Sequence, residues 1–291
     1  MSDLDDMPVL KKTALITGCS DGGLGAAMAK VLHENDYYVF ATVRNTSKAQ
    51  TLRDLKNVEI LELDVSSKDS IARCAEKVKQ RTSTLNMLIN NAGCDFHTPI
   101  LDTDIEKAKA FFDVNFWSVI VVTQAFADLI IQCQGVIVNC SSVLWNIPTL
   151  WAGIYTTSKA AVKQTSETMR VELEPLGVRV VTAIIGSVET NFFNNALTEP
   201  FQLPASSYYK PIKDRLEDER RGGNIQGRAN VSITAREIVS DVLGGAKGCI
   251  WRGGKSTNAK WLTWLLPIWA LEWLVNGSRG LEELRQYYVN K

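Results

Sequence analysis

The chain has little histidine, no paired cysteines and no excess of either charge. Only two of its 291 residues are histidines, and its six cysteines are scattered without a Cys-x-x-Cys pair. This pattern argues against a structural zinc site and indicates free thiols in a reducing compartment. Basic and acidic residues balance at 32 each, whereas nucleic-acid-binding proteins usually carry a basic excess. We therefore expect no metal and no nucleic-acid partner.

Long apolar runs are also lacking. No run reaches the roughly 20 apolar residues of a membrane-spanning helix, and the opening MSDLDDMPVLKK does not resemble a secretory signal. We therefore expect a cytoplasmic protein. The nearest approach to an apolar run is Trp261–Val275, which carries four tryptophans and is interrupted by Pro267. This segment fits three arrangements: a peripheral contact with the endoplasmic reticulum or a lipid droplet, a lid or dimer surface over the substrate, or a helix packed on the core.

Short apolar segments alternate with amphipathic ones along most of the chain. Predicted strands lie at 13–17, 37–43, 58–65, 86–93, 135–142 and 178–185, and predicted helices at 24–35, 47–56, 67–81, 104–132 and 153–176. Strands that are apolar throughout and separated by helices indicate a parallel sheet covered on both faces. The sequence therefore predicts an α/β fold, a Rossmann-type, doubly wound sheet in a single domain.

The rest of the chain completes this prediction. Residues 191–232 have weak periodicity and are interpreted as a substrate-binding excursion over one end of the sheet. A helix near 234–246 and a seventh strand at 249–253 close the domain. The predicted boundaries are an N-terminal tail at 1–10, the Rossmann domain at 11–255, and the Trp-rich segment at 256–291.

A glycine-rich turn, TGCSDGGLG at 17–25, follows the first predicted strand and opens the first helix. A dinucleotide needs glycines there, because the chain must turn tightly and approach the pyrophosphate closely, and the helix N-terminus favours the anion. An ordinary strand–helix turn is the alternative interpretation. The predicted pyrophosphate-binding residues are Gly18, Ser20, Gly23, Leu24 and Gly25.

Other candidate cofactor residues follow the next three predicted strands. Arg44 comes after the second strand, where the adenosine ribose of a dinucleotide lies; an acidic residue there favours NAD, whereas arginine accommodates the extra phosphate of NADP. The sequence therefore predicts NADP(H) over NAD. The carboxyl ends of the third and fourth strands supply the remaining candidates, Asp64, Val65, Asn91, Ala92 and Gly93.

The segment GIYTTSKAAV contains a tyrosine and a lysine four residues apart, on one face of a predicted helix. The ordinary pKa of tyrosine is near 10, and an ammonium beside Tyr155 is expected to lower it toward neutrality. Such a phenol can exchange a proton with a carbonyl or alcohol oxygen, which a serine hydroxyl can hold. Ser142, at the end of the fifth strand, is the first candidate for that serine and Ser141 the second.

Taken together, these motifs resemble the short-chain dehydrogenase/reductase family. The resemblance covers roughly residues 10–190, including Asn90–Gly93 for the family's Asn-Asn-Ala-Gly, although the glycine turn is one residue longer than its Thr-Gly-x-x-x-Gly-x-Gly. Asp21 occupies a loop where NADP-preferring members often carry a basic residue, so the NADP prediction depends mainly on Arg44. Ile185-Gly186 replaces the family's Pro-Gly.

The resemblance implies an active site and a hydride-transfer reaction. Its catalytic set is Ser142, Tyr155, Lys159 and Asn115, the last lying in FDVNFWS on the long central helix. By this resemblance Tyr155 and Lys159 also contact the cofactor, Lys159 binding the nicotinamide ribose and lowering the Tyr155 pKa, while Asn115 holds a water that links Lys159 to solvent. Val188 and Thr190 then bind the nicotinamide amide.

Within the family the chain is most similar to fungal relatives of 1-acyldihydroxyacetone-phosphate reductase, and then to 17β-hydroxysteroid dehydrogenase-like enzymes. This implies NADPH-dependent reduction of a ketone on a hydrophobic natural-product, steroid-like or lipid substrate, or the reverse oxidation, in a homo-oligomer. The alternatives are an acyl-phosphate ketone reductase, disfavoured because no arginine cluster adjoins Ser142, and a dinucleotide-binding regulator without catalysis. The predicted substrate wall comprises Leu144, Trp145, Trp151 and Phe192.

Overall fold

Seven short apolar strands form the centre of the molecule in the computed structural model, which describes residues 12–192, 201–223 and 225–290. The strands are β1 Thr13–Thr17, β2 Tyr38–Val43, β3 Val58–Glu62, β4 Met87–Asn90, β5 Val136–Ser142, β6 Arg179–Ile185 and β7 Gly248–Arg252. They pair in parallel in the order β3-β2-β1-β4-β5-β6-β7. The predicted Rossmann-type sheet in a single domain is confirmed.

Ten α-helices lie in the described part of the chain. They are α1 Leu24–Glu34, α2 Lys68–Lys79, α3 Ile105–Phe112, α4 Ser118–Gln132, α5 Gly153–Leu173, α6 Lys213–Arg220, α7 Val231–Leu243, α8 Ser256–Leu265, α9 Ile268–Asn276 and α10 Leu281–Val289. Apolar side chains of α1 and α7, such as Met28 and Ile238, pack on one face of the sheet. Those of α2 and α4, such as Ile71 and Phe126, pack on the other. A strand covered on both faces needs residues that can be buried on both sides, and β1 is buried along its whole length.

The strand order reverses between β1 and β4, which are neighbours in the sheet although β2 and β3 separate them in sequence. Ligands bind open α/β sheets in the crevice outside the carboxyl ends of the strands at such a reversal. The glycine turn after β1 and the Asn91–Gly93 segment after β4 both lie at this point. The topology therefore places the predicted cofactor residues at a suitable edge.

The helix predicted at 47–56 is wrong. The chain forms only two short 3₁₀ turns there, Thr46–Lys48 and Gln50–Leu52. Long-range hydrogen bonds hold this shape, because the Asp21 carboxylate accepts from the backbone N–H groups of Gln50 and Thr51. The sequence pattern of a polar helix contains no sign of that distant partner.

The helix predicted at 104–132 forms, but a π-helical turn at Asp113–Trp117 separates α3 from α4. The combined stretch Ile105–Gln132 has a mean hydropathy of 1.7 in its most apolar window, which makes it long and apolar enough to cross a membrane by length and composition. This differs from our expectation that no such segment exists. Helices of a protein core meet the same criterion, and 44% of this window is buried inside the molecule.

The excursion predicted at 191–232 is only partly irregular. Its residues 193–200 and 224, like the N-terminal tail, lie outside the described residues. Within it, α6 forms and buries Leu216, which packs with Ile212 against Trp151. The predicted domain boundaries themselves stay a prediction.

The Trp-rich segment folds as α8 and α9, separated by Pro267. Three of its tryptophans stand largely in solvent: Trp264 is 76% exposed, Trp269 70% and Trp273 76%. The interpretation as a helix packed on the core is therefore wrong for this face, although Ala259 and Leu271 are buried. Sequence could not exclude it, because an apolar helix has the same composition whether it is covered or not.

Candidate active site

Two glycines of the turn after β1, Gly18 and Gly25, have no room for a Cβ. A Cβ on Gly25 would lie 2.5 Å from the Gly18 carbonyl oxygen and 2.6 Å from Asn91 Nδ2, and one on Gly18 would lie 2.9 Å from the Ala92 Cα. Gly18 also has φ 76°, a backbone conformation that favours glycine. Helix α1 begins directly after Gly23, so its free N–H groups face the crevice. This arrangement fits a pyrophosphate held by backbone alone.

Asn91 and Thr17 join the loops that follow β4 and β1. Thr17 Oγ1 accepts hydrogen bonds from the backbone N–H groups of Asn91 at 3.0 Å and Ala92 at 2.9 Å. In return Asn91 Nδ2 donates to the Thr17 carbonyl at 2.8 Å. The glycine turn is therefore held in shape from the β4 side. Ser20 contributes its carbonyl, which accepts from the Gly23 N–H at 3.0 Å.

Arg44 stands exposed just beyond β2, as predicted for a residue that contacts the adenosine ribose. Partial burial raises the pKa of the Asp64 carboxyl. Hydrogen bonds from Ser66 and the charge of Arg44 outweigh this effect, so the pKa is lowered. Arg44 and Asp64 thus lie within electrostatic reach at the ends of β2 and β3. Val65 is instead buried in the core, and Leu24 packs against the core from the start of α1.

Asp21 does not present a free carboxylate to this region. It accepts from Gln50 N at 2.8 Å, Thr51 N at 3.0 Å and Thr51 Oγ1 at 2.6 Å. Partial burial raises the pKa of Asp21, but these hydrogen bonds outweigh it and lower the pKa. Its role in the structure is to connect the glycine turn to the loop after β2. The departure from the family's basic residue therefore has a structural explanation.

Ser142, at the end of β5, lies beside Tyr155 on α5. Burial raises the pKa of the Tyr155 phenol, and the Ser142 hydroxyl lies near enough to oppose that rise. Ser142 Oγ accepts from the Leu144 N–H at 3.2 Å. Ser141 points elsewhere, because its Oγ donates to the Lys159 carbonyl at 2.8 Å. The geometry therefore favours Ser142 over Ser141 as the partner of Tyr155.

Lys159 and Asn115 meet on the other side of Tyr155. Lys159 Nζ lies 5.9 Å from the centre of the Tyr155 ring and donates to the Cys140 carbonyl at 3.2 Å. A Cβ on Gly93 would lie 3.5 Å from Lys159 Nζ and 3.4 Å from Asn115 Oδ1. The four residues of the predicted catalytic set thus converge at one sheet edge, beside the loop after β4.

Asn115 lies in the π-helical turn between α3 and α4, where sequence predicted an ordinary helix. Its side chain is buried and clamps the loop after β4, accepting from the Cys94 N–H at 2.8 Å and donating to the Cys94 carbonyl at 3.0 Å. Single π turns inside α-helices occur frequently at functional sites. This clamp fixes the loop that carries Gly93 against Lys159.

The expected lowering of the Tyr155 pKa is wrong for the chain by itself. Burial raises the pKa of Tyr155, and the nearby Ser142 hydroxyl opposes this rise only in part. Burial also lowers the pKa of Lys159. Desolvation disfavours the charged form of both groups, and Lys159 directs its amine to Cys140 rather than to the phenol. Tyr155 is therefore a protonated phenol at neutral pH, the form that an acid requires.

The side chains around Tyr155 form an apolar, aromatic cluster. Two predicted wall residues belong to it: Leu144 packs in the cluster, and the Phe192 ring lies 6.3 Å from that of Tyr155. The other members are Cys94, Phe96, Phe111, Phe112, Ala152 and Ile154. Sequence analysis missed Phe111 and Phe112, whose signal was their position one helical turn before Asn115.

Trp145 and Trp151, also predicted as wall residues, do not join this cluster. The Trp145 ring lies beneath Lys163 Nζ at 4.9 Å. Trp151 is buried with Ile212 and Leu216, and its Nε1 donates to the Arg279 carbonyl at 2.9 Å. Neither indole packs in the Tyr155 cluster, and each contacts other residues instead.

The end of α9 and the residues after it hold the loop Val143–Ala152. We call it the substrate loop, because three of the predicted substrate-wall residues lie in it. Asn276 Nδ2 donates to the Pro148 carbonyl at 2.7 Å, and Asn276 Oδ1 accepts from the Leu150 N–H at 2.9 Å. Together with the Trp151–Arg279 bond, these contacts join residues about 126 positions apart. No local signal could have identified them.

The segment after β6 lies over the glycine turn. Asn191 Nδ2 donates to the Asp21 carbonyl at 3.3 Å, and Val188 forms a bridge with Ala229. Thr190 Oγ1 accepts from the Phe192 N–H at 3.3 Å. Val188 and Thr190 therefore lie on the segment that connects the cofactor crevice to the Tyr155 cluster. Asn191 is a contact that sequence analysis missed.

Comparisons with known proteins agree with this geometry. A family model described as short chain dehydrogenase matches residues 12–200. The short-chain dehydrogenase cctT of Talaromyces islandicus is 42% identical over 275 residues, which cover 94% of this chain and 97% of that protein. The NADPH-dependent 1-acyldihydroxyacetone phosphate reductase of Schizosaccharomyces pombe is 36% identical over 213 residues, 72% of each protein.

A solved structure shows the same fold. It is a short chain dehydrogenase from Burkholderia cenocepacia in complex with NADP, with a TM-score of 0.70 and 24% identity. The match covers 92% of this chain and 99% of that one. The similarity to fungal relatives, one of them an acyldihydroxyacetone phosphate reductase, is as the sequence motifs predicted.

Proposed function

The chain belongs to the short-chain dehydrogenase family and is an oxidoreductase, and from this premise we propose that it uses NADPH to reduce a ketone on a hydrophobic substrate to a secondary alcohol, or catalyses the reverse oxidation. The observation that carries the proposal is the convergence of Ser142, Tyr155, Lys159 and Asn115 near a turn in which two glycines leave no space for a Cβ. A packing role alone does not explain a buried phenol paired with a serine at the carboxyl edge of the sheet.

The proposed roles follow from these contacts. A bound nicotinamide cofactor supplies the hydride that joins the carbonyl carbon in reduction. Tyr155 donates its phenolic proton to the carbonyl oxygen, and takes a proton back from the alcohol in oxidation. Ser142 donates a hydrogen bond to the same oxygen and orients it. By the family resemblance, Lys159 would hold the nicotinamide ribose, and Asn115 would hold the water that restores the proton of Tyr155.

Three features support NADPH as the cofactor. Arg44 stands exposed at the end of β2, the Schizosaccharomyces pombe relative is named NADPH-dependent, and the Burkholderia structure contains NADP. Asp21 keeps its negative charge, but its carboxylate oxygens are directed to Gln50 and Thr51. Guanidinium groups suit phosphate recognition because their donors match its oxygens.

We expect Arg44→Glu to lower the preference for NADPH over NADH by at least about tenfold, since a charge-assisted hydrogen bond contributes about 1.5–3 kcal/mol. The measurement is kcat/KM for oxidation of each cofactor with a panel of hydrophobic ketones. Arg73→Ala, at an exposed position on α2, is the matched control and should keep the preference. A preference for NADH in the unaltered chain would contradict the role of Arg44, and the absence of any ketone reduction would contradict the reductase proposal.

The residues around Tyr155 favour a neutral hydrophobic ketone over an acyl-phosphate. The side chains that pack with Tyr155 include the aromatic rings of Phe96, Phe111 and Phe112. The cation beside the ring, Lys159, donates to the Cys140 carbonyl. A phosphate substrate would need a cationic partner there. The acyldihydroxyacetone phosphate reductase-like activity is therefore the second candidate, favoured by the relative's name alone. A non-catalytic regulator leaves the paired phenol and buried lysine unexplained.

We also propose that the chain forms a homo-oligomer through the outer faces of α4 and α5. Helix α4 belongs to the apolar stretch Ile105–Gln132, and only 44% of the most apolar window of this stretch is buried. Ile120, Ile131 and Met169 line a surface depression between the two helices. An unpaired apolar helix face is typical of subunit contacts. The cytoplasmic location stays a prediction.

The tryptophan face, defined as Trp264, Trp269 and Trp273, supports a peripheral membrane contact. Indole rings prefer the interface, where one side is apolar and the other wet. Lys260 Nζ lies 5.6 Å from the centre of the Trp261 ring beside this face, and a cation there suits anionic lipid headgroups. We propose a lipid surface as the occupant, consistent with hydrophobic substrates entering from a membrane.

Flotation with vesicles tests this contact. We expect the full chain to float with phosphatidylcholine–phosphatidylserine vesicles, and the variant with all three tryptophans of the face changed to serine to remain at the bottom of the gradient. Trp117→Ser, which removes an indole that is 52% exposed on a different surface, should float like the unaltered chain. If the full chain does not float, the tryptophan face does not bind lipid. If the chain is a dimer in solution and only the triple variant is a monomer, the face is a subunit contact instead.

A further inference from the structure

The loop after β4 contains a buried aspartate–histidine pair that the proposed reaction does not use. Asp95 Oδ2 lies 2.6 Å from His97 Nδ1, and the side chains are only 2% and 9% exposed. The next residue, Thr98, donates its N–H to the Trp151 carbonyl at 2.7 Å. The pair is therefore held in a loop that is fixed to the substrate loop.

This pair lies close to Tyr155. Its neighbours in sequence, Cys94 and Phe96, both pack in the Tyr155 cluster, and Cys94 is clamped by Asn115. The Asp95 charge is near enough to raise the pKa of Tyr155 further. The other charged groups that reach this loop are Lys159 and Arg44, which act on Cys94.

The hydrogen bond to Asp95 determines what His97 can offer. A buried carboxylate needs a donor, and Nδ1–H provides it, so the ring orientation is fixed. No described residue is hydrogen-bonded to the opposite nitrogen, Nε2. Among the described residues, the buried polar atoms that lack a hydrogen-bond partner do not include Nε2. Nε2 therefore keeps some exposed surface that another molecule can contact. The loop neighbours Cys94 and Phe96 pack with Tyr155, so a ligand bound beside Tyr155 can supply the partner that Nε2 lacks.

The chemistry of Nε2 selects the kind of partner. Neutral imidazole would accept a hydrogen bond there and protonated imidazole would donate one. A hydroxyl group satisfies either state, because it both donates and accepts. A carboxylate or phosphate would instead face the negative charge of Asp95.

We propose that His97, oriented by Asp95, is a substrate-binding residue that hydrogen-bonds through Nε2 to a hydroxyl group of the substrate, remote from the reacting carbonyl. The preferred substrates are then hydroxylated hydrophobic ketones. This inference rests on the proposed reductase function and names the substrate class of the same site.

Imidazole nitrogen NMR tests the contact without turnover. The chain has only two histidines, so a ¹⁵N spectrum contains two rings, and His33→Gln assigns them. With NADP⁺ present, at least one of 5-, 6- and 7-hydroxy-1-tetralone should shift the His97 Nε2 resonance, whereas 1-tetralone should leave it in place. Equal shifts with 1-tetralone and the hydroxytetralones, or none with any of them, would overturn the proposal.

Kinetics provide the second test. The best of 5-, 6- and 7-hydroxy-1-tetralone should exceed 1-tetralone in kcat/KM by about tenfold, the order expected for one hydrogen bond to a buried group. His97→Phe should reduce this ratio to about one, mainly through a higher KM for the hydroxytetralone. Asp95→Leu combined with His97→Phe removes the whole pair, which avoids leaving a buried carboxylate alone, and should give the same ratio.

The outcomes separate the subsite from the reductase function. An unchanged ratio in both variants, or equal losses on both ketones, would overturn the role of His97. Failure of the unaltered chain to reduce any tetralone would count against the proposed activity, and the NMR result would then decide the subsite by itself. His33→Gln is the matched control and should leave the ratio of kcat/KM for hydroxytetralone to that for 1-tetralone unchanged.

Discussion

Replacing Tyr155 with phenylalanine should lower kcat for ketone reduction by a factor of about 10² to 10⁴, the usual contribution of a general acid. The substitution removes the hydroxyl that lies near Ser142 and keeps the ring that packs against Phe192. NADPH binding, followed by fluorescence, should therefore remain close to that of the unaltered chain.

The control for this experiment is Tyr38→Phe. It removes the same atom at the far edge of the sheet, where the Tyr38 hydroxyl donates to Glu59 at 2.7 Å, and should leave kcat unchanged. Full activity of the Tyr155 variant would show that another group supplies the proton. A parallel loss of cofactor binding would indicate a structural role for the phenol.

Replacing Gly25 with alanine should weaken NADPH binding between about fivefold and a hundredfold. The new Cβ would lie 2.5 Å from a backbone oxygen of Gly18 and 2.6 Å from Asn91 Nδ2, so the turn itself must shift. Overpacking of this kind costs about 1–3 kcal/mol, more than the roughly 1 kcal/mol that alanine gains over glycine in a helix. The dissociation constant for NADPH should rise and the unfolding temperature should fall.

Gly244→Ala is the matched control for the glycine turn. Gly244 follows α7 with φ −73°, which alanine adopts freely, and its new Cβ would come no closer than 3.1 Å to the Ser240 carbonyl. NADPH binding should be unaffected there. Normal binding by the Gly25 variant would mean that the cofactor does not lie on this turn.

Most of the secondary structure could be predicted because it depends on local patterns. β1 was predicted at its observed bounds, and α1 and α5 began at the residues predicted. Continuous apolar runs of four to eight residues between helices leave few alternatives to a buried parallel strand. The helix predicted at 47–56 failed because hydrogen bonds from distant Asp21 replaced the local ones.

The sequence by itself determined the doubly wound sheet, the glycine turn and the placement of Tyr155 and Lys159 on one helical face, since each depends on residue spacing along one element. Only the tertiary structure decided that Ser142 rather than Ser141 adjoins Tyr155, that burial raises the Tyr155 pKa, and that Trp151 supports the C-terminal segment. It also brought the buried Asp95–His97 pair beside the aromatic cluster. Desolvation and contacts between distant residues exist only after the chain has packed, so no pattern of neighbouring residues contains them.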